Sequence, residues 1–153
     1  MVTYRSVGML ENTTAEAPIF STKIAIIIRE DLATWQKLNV TAFLATGIIG
    51  ANAEVLGQPY QDAAGNAYHR LAGQPIIVLA ADAATLKAIY DRALERRAAM
   101  SLYIEDMFRT GHDAANRATV RASRPETMNV VGLALREDKK IVDKITKGAR
   151  LHS

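Results

Sequence analysis

Between two charged ends, Lys23 and Arg29, the chain reads KIAIIIR, five apolar residues without alternation. A strand covered on both faces reads this way, because neither face turns out to water. It predicts a central strand. Further on, Val40, Phe43, Leu44, Gly47 and Ile48 fall at helical spacing, which predicts a helix over about residues 36–51 packed on that strand's sheet. Residues 54–73 (EVLGQPYQDAAGNAYHRLAG) hold four glycines or prolines and the turn signal Ala64-Gly65-Asn66, so an irregular hairpin or excursion is expected there.

A second short apolar run, Ile76 to Ala81 (IIVLAA), is followed by Asp82 as a helix N-cap and by Leu86, Ile89, Tyr90, Ala93, Leu94 and Ala98 on one stripe. Ser101 to Asp106 (SLYIED) reads as a third strand and Asn129 to Leu135 (NVVGLAL) as a fourth, separated by a polar, Arg-rich loop over residues 109–126. Asp138 then caps a last helix through Lys147, with Ile141, Val142 and Ile145 facing inward and Gly148 as its stop. Strands joined through helices put layers on both faces of one sheet. The expected fold is α/β, a three-layer α/β/α sandwich with a central mixed sheet of about four core strands.

Composition narrows the class without naming a function. The chain has 153 residues, 49% of them hydrophobic, which suits one globular domain with a core of its own and excludes disordered and fibrous classes. No cysteine is present, which removes thiol catalysis, thiolate metal sites and disulfide staples together. Residues 1–20 carry one Arg and no apolar run long enough for a signal core, and no stretch approaches the roughly 18 apolar residues of a membrane span. A cytoplasmic protein with a polar lead-in and no membrane partner is expected. Residues 1–76 carry five basic and six acidic side chains and residues 77–153 fourteen and ten, so the net charges are −1 and +4. The positive excess belongs to the second half.

Four segments in this order resemble the type II peptidyl-tRNA hydrolases. They are Lys23–Leu32 (KIAIIIREDL), like that family's opening strand with its Arg, any residue, Asp, Leu; the strand and helix over residues 75–99; Ser101–Thr110 (SLYIEDMFRT), like a strand ending in Asp-Ala-Gly-Arg-Thr; and Asn129–Leu151, like the closing strand, turn and helix. Together they cover about three quarters of the chain. The resemblance implies a cleft where the first helix starts and the third strand ends, with Lys37, Asp106 and Thr110 in the catalytic positions. Lys37 or Asn39 takes the lysine position, depending on a one-residue shift. The departures are the family's Gln and His after that lysine, replaced by apolar or small residues, the Gly of its Asp-Ala-Gly-Arg-Thr turn, which stands as Phe108, and a longer insertion over residues 111–126. They place the chain in a mostly bacterial set of uncharacterised proteins that resemble the hydrolases in fold.

Ester hydrolysis needs a positioned water, a group to take its proton and stabilisation of the oxyanion. The bland alternative makes Asp106 a turn cap, Arg109 a solvated side chain and Thr110 a loop hydroxyl. Asp31, just past the central strand, is either a ligand-site residue at the carboxyl end of the sheet or a helix cap. Asn39 likewise serves a site or a cap. Arg109, His112, Arg117, Arg121 and Arg124, with Asp113, sum to +3, so the segment suits a tRNA backbone or a small anionic ligand, or is a solvated loop. Phe108 is the only aromatic residue near it in sequence, which argues against base stacking. Trp35 and Tyr103 read as packing residues. The three histidines, at 69, 112 and 152, are too widely spaced for a metal site, and no phosphate loop or dinucleotide fingerprint occurs, so no metal and no cofactor are expected. A homodimer is expected from the resemblance, and a noncatalytic module binding an anion or a protein partner is the rival reading.

Overall fold

A computed structural model describes residues 16–153. Strand β1 (Thr22–Arg29) is the run of isoleucines, with Ile24, Ala25, Ile26, Ile27 and Ile28 all buried. β-Branched side chains stiffen an extended backbone, and both faces of this strand are covered, which is why the apolar run does not alternate. On one side β1 pairs in parallel with β4 (Ile76–Ala81), and on the other antiparallel with β6 (Val130–Asp138). β5 (Met100–Ile104) continues the sheet beyond β6, and β7 (Arg150–Leu151) closes the far edge beside β4. The order is β5-β6-β1-β4-β7. β1, β4 and β5 therefore run the same way, so their carboxyl ends share one edge.

Alternate residues of β1 feed two cores. Ile24, Ile26 and Ile28 meet Val40, Leu44 and Ile48 of helix α1 (Thr34–Ala51) on one face. Ala25 and Ile27 face Leu86, Ile89 and Tyr90 of α2 (Ala83–Glu95), and Val142 and Ile145 of the last helix (Lys139–Ile145), on the other. Each buried Ile or Leu contributes roughly 1.5–3 kcal/mol of transfer free energy, so these two stripes hold the helices in place. The result is a mixed α/β fold with helices on both faces of the sheet. Gly132 brings α1 close, since a Cβ there would lie 2.7 Å from Val40 Cγ1 and 3.0 Å from Leu44 Cδ1. Asp82 caps α2 by accepting from the Thr85 amide at 2.8 Å, a bond that also holds its carboxyl below the ordinary range.

Several expectations need correction. Residues 109–126 are not a loop: a short turn over Glu105–Arg109 leads into helix α3 (Asp113–Arg121). This helix is hard to see in sequence because Val120 is its only large apolar residue; Ala and Arg supply propensity, and His112 supplies the cap. The last helix, α4, ends at Ile145 rather than Lys147. Strand β7 was not expected, being only two residues long, and it makes the sheet five-stranded. Phe43, expected inward, is 55% exposed, and on α2 Leu94 is half-open while Ala98 lies beyond the helix. The excursion does contain a hairpin, β2 (Tyr60–Gln61) and β3 (Ala67–Tyr68), with Gly65 at φ +90 in its turn. Among the described residues no helix is long and apolar enough to cross a membrane.

Candidate ligand cleft

A cleft of about 920 Å³ lies between α1 and α3 with β5 as its floor. α1 contributes Trp35, Asn39, Phe43 and Thr46, spaced by four, four and three residues, so one helical stripe lies along the opening. That stripe runs beside the buried Val40, Leu44 and Ile48, which explains why Phe43 reads as core by spacing yet faces the cleft. β5 and the turn after it supply Tyr103 and Phe108. From α3 come Asp113, Arg117 and Arg121, again at helical spacing.

Aromatic rings form one wall. Trp35 meets Phe108 edge-on with centroids 5.9 Å apart, Phe108 meets Tyr103 at 5.2 Å, and Tyr103 meets Phe43 at 6.2 Å. The expectation of a single ring near the basic segment is thereby overturned: the rings come from three separated stretches, and only the fold gathers them. Tyr103 is 6% exposed, and burial pushes its phenol above the ordinary tyrosine range. Its hydroxyl makes no hydrogen bond to any described residue.

The opposite wall is polar. The His112 ring accepts from the Ala115 amide through Nδ1 at 3.2 Å, which places the ring proton on Nε2 and makes that nitrogen a donor. The Thr110 hydroxyl donates to the Met107 carbonyl at 2.8 Å and is in close contact with the Asn116 side chain. Charge in this segment is largely cancelled. Arg117 pairs with Asp113, Arg124 with Glu126, and Arg109 stands 3.9 Å from Asp106. Arg121 has no carboxylate partner among the described residues. It is one of five basic positions over residues 109–124, and nothing local in the sequence marks it out.

Of the residues singled out from sequence, Asn39, Thr110, His112 and Arg117 share this cleft. Lys37, Asp106, Arg109 and Asp31 do not line it. Lys37 is half-buried on α1, and Asp106 and Arg109 are exposed on the turn. Asp31 does not cap α1, whose N-cap is Ala33; it accepts from Arg29 Nε at 2.7 Å. Arg29 also donates to the Asn129 side-chain oxygen at 2.5 Å, and the Asn129 amide in turn contacts Glu105, tying the ends of β1, β6 and β5 together. Asn39 sits inside α1 rather than at its cap. Among the described residues no group of three His, Cys, Asp or Glu side chains is placed to hold a metal.

Comparison with known proteins adds a family to this geometry. Residues 22–153 match the model of a family described as a protein of unknown function (DUF2000). The chain belongs to that family. The DUF2000 chain is also similar to a solved structure of a protein of unknown function, Atu0240 of Agrobacterium tumefaciens strain C58, at 59% identity and a TM-score of 0.87, with 88% of this chain and all of that one covered. No curated protein sequence matches. Both helices of the cleft and β5 lie within the family match.

Proposed function

We propose that this DUF2000 protein binds a small anionic ligand in the cleft between α1 and α3. Arg121 carries the reading. It is the one arginine of the basic segment without a carboxylate nearby among the described residues, and it stands on the rim of a concavity whose size and apolar lining suit a small molecule. An Arg fork matches carboxylate or phosphate geometry, and elsewhere along the same lining the His112 Nε2 proton and the Asn39 side chain offer further hydrogen bonds. The experiment is a thermal-shift titration of the full chain with citrate, inorganic phosphate, cyclohexylacetate and phenylacetate. A ligand at a hundred times its Kd stabilises by about 2.7 kcal/mol. At least one probe raises the melting temperature of the parent and not of Arg121→Gln; no shift with any probe would overturn the reading.

A second reading follows the peptidyl-tRNA hydrolase resemblance. It is favoured by one observation: Thr110 and Asn39, two of the residues that the resemblance places in the site, line the same cleft. Lys37 and Asp106 lie off that lining, so the hydrolytic arrangement is the less complete of the two. Purified chain incubated with peptidyl-tRNA, alongside Asp106→Asn and Thr110→Ala, tests it, and no release above buffer by the parent ends it.

A further inference from the structure

The ring wall specifies more than an apolar surface. Its two ends, Trp35 and Phe43, are 62% and 55% exposed, while Tyr103 between them is buried and fixed. Two large rings left half-open at the mouth of a concavity are an uncovered recognition surface. Their planes are tilted at 70°, 46° and 45° along the chain of contacts, so the wall offers both ring edges and ring faces. Edges and faces carry opposite partial charge, and a flat aromatic guest gains from both, whereas an alkyl guest of equal size gains only from covered area. Across from the wall, Arg117 and Arg121 present planar guanidinium groups that stack on an aromatic face as well as pair with an anion.

Charge fixes the other half of the ligand. Asp113 occupies Arg117, and Arg121 is the arginine of α3 without a carboxylate partner among the described residues. Resting on the anion-binding reading above, we infer that the cleft takes a planar aromatic ring carrying one carboxylate or phosphate group, the ring against Phe43, Tyr103 and Phe108 and the acid on Arg121. The Tyr103 hydroxyl, without a protein partner among the described residues, then faces the ring and donates to a heteroatom on it.

Trp35 makes the test direct, because it is the sole tryptophan and lies at the cleft mouth. A ligand seated in the cleft lies against this ring and alters its fluorescence. The full chain is titrated with phenylacetate, phenyl phosphate, cyclohexylacetate and inorganic phosphate, and Phe43→Leu and Arg121→Gln are titrated alongside. Phenylacetate or phenyl phosphate, whichever carries the matching acid, binds about tenfold tighter than cyclohexylacetate and inorganic phosphate, a difference of about 1.4 kcal/mol. Phe43→Leu, at a half-exposed position that tolerates the change, weakens the aromatic probes more than cyclohexylacetate and so removes most of that preference. Arg121→Gln weakens every anionic probe. Cyclohexylacetate binding as tightly as phenylacetate and phenyl phosphate would overturn the aromatic inference and leave the anion reading standing. Absence of binding by all four probes would overturn both.

Discussion

Gly47 of α1 lies against Ser101 of β5 with no room for a side chain between them: a Cβ on Gly47 would overlap the Ser101 hydroxyl oxygen and stand 3.0 Å from Ser101 Cβ. Both residues line the cleft, so this contact sets how closely the α1 stripe approaches its floor. In an open helix Gly→Ala gains roughly 0.5–1 kcal/mol. Here Gly47→Ala is expected to lose about 1–3 kcal/mol through overpacking. Adding Ser101→Gly recovers most of it, as urea melts of the three proteins will show; a Gly47→Ala chain more stable than the parent would contradict the close seating.

The two faces of β6 fail in opposite ways. Gly132→Ala pushes a methyl into Val40 and Leu44 and costs about 1–3 kcal/mol by crowding. Leu133→Ala opens a hole among Ile27, Ile89 and Val142 on the other face and costs about 2–5 kcal/mol. Denaturant midpoints check both, and a loss below about 0.5 kcal/mol at Leu133 would contradict its burial.

The β2–β3 turn is an electrostatic device. The Asp62 carboxylate accepts from the Asn66 side chain at 2.8 Å, the Tyr68 hydroxyl at 2.8 Å, and the Asn66 and Ala64 amides at 2.9 and 3.0 Å. Led by the Asn66 side chain, these bonds lower its pKa to about 2 and raise that of Tyr68. A folded value below the unfolded one, about 3.9, means the hairpin gains stability above that pH and loses it as pH falls through about 2. A carboxyl-carbon NMR titration should place the Asp62 midpoint near about 2 and higher in Tyr68→Phe; an ordinary aspartate midpoint in the parent would refute the four-bond turn.

His112 holds the first turn of α3 through a ring nitrogen that accepts only while unprotonated. His112→Ala removes the cap and should cost about 1 kcal/mol, read as faster hydrogen exchange at Ala115, whereas His112→Asp retains protection because Asp is a preferred N-cap. Unchanged exchange in His112→Ala would show that α3 stands without it.

The basic excess in the second half of the sequence separates into ion pairs once the chain is folded. Local spacing reveals Arg117 with Asp113 at i,i+4, but sequence alone does not show that Arg121 is left over, because that depends on which carboxylates lie across space. Asn39 and Thr110, expected together from the peptidyl-tRNA hydrolase resemblance, line one cleft, whereas Lys37 and Asp106, expected with them, do not. Trp35, Phe43 and Tyr103 were not legible as a cleft, since each is as apolar as a core residue and the sequence separates the first two from Tyr103 by about 60 residues.

The sequence by itself determined the strands and the large helices. KIAIIIR, IIVLAA and NVVGLAL read as strands and do form them, and the stripes Val40–Leu44–Ile48 and Leu86–Ile89–Ala93 are buried as their spacing predicts, because hydrophobic periodicity is a local property of the chain. Tertiary structure decided what is open. The order β5-β6-β1-β4-β7 leaves β5 at an edge, α3 folds over that edge on little apolar surface of its own, and the gap between α3 and α1 becomes the cleft. Which rings line it and which arginine stays unpaired follow from contacts between segments far apart in the chain, and no local pattern encodes those.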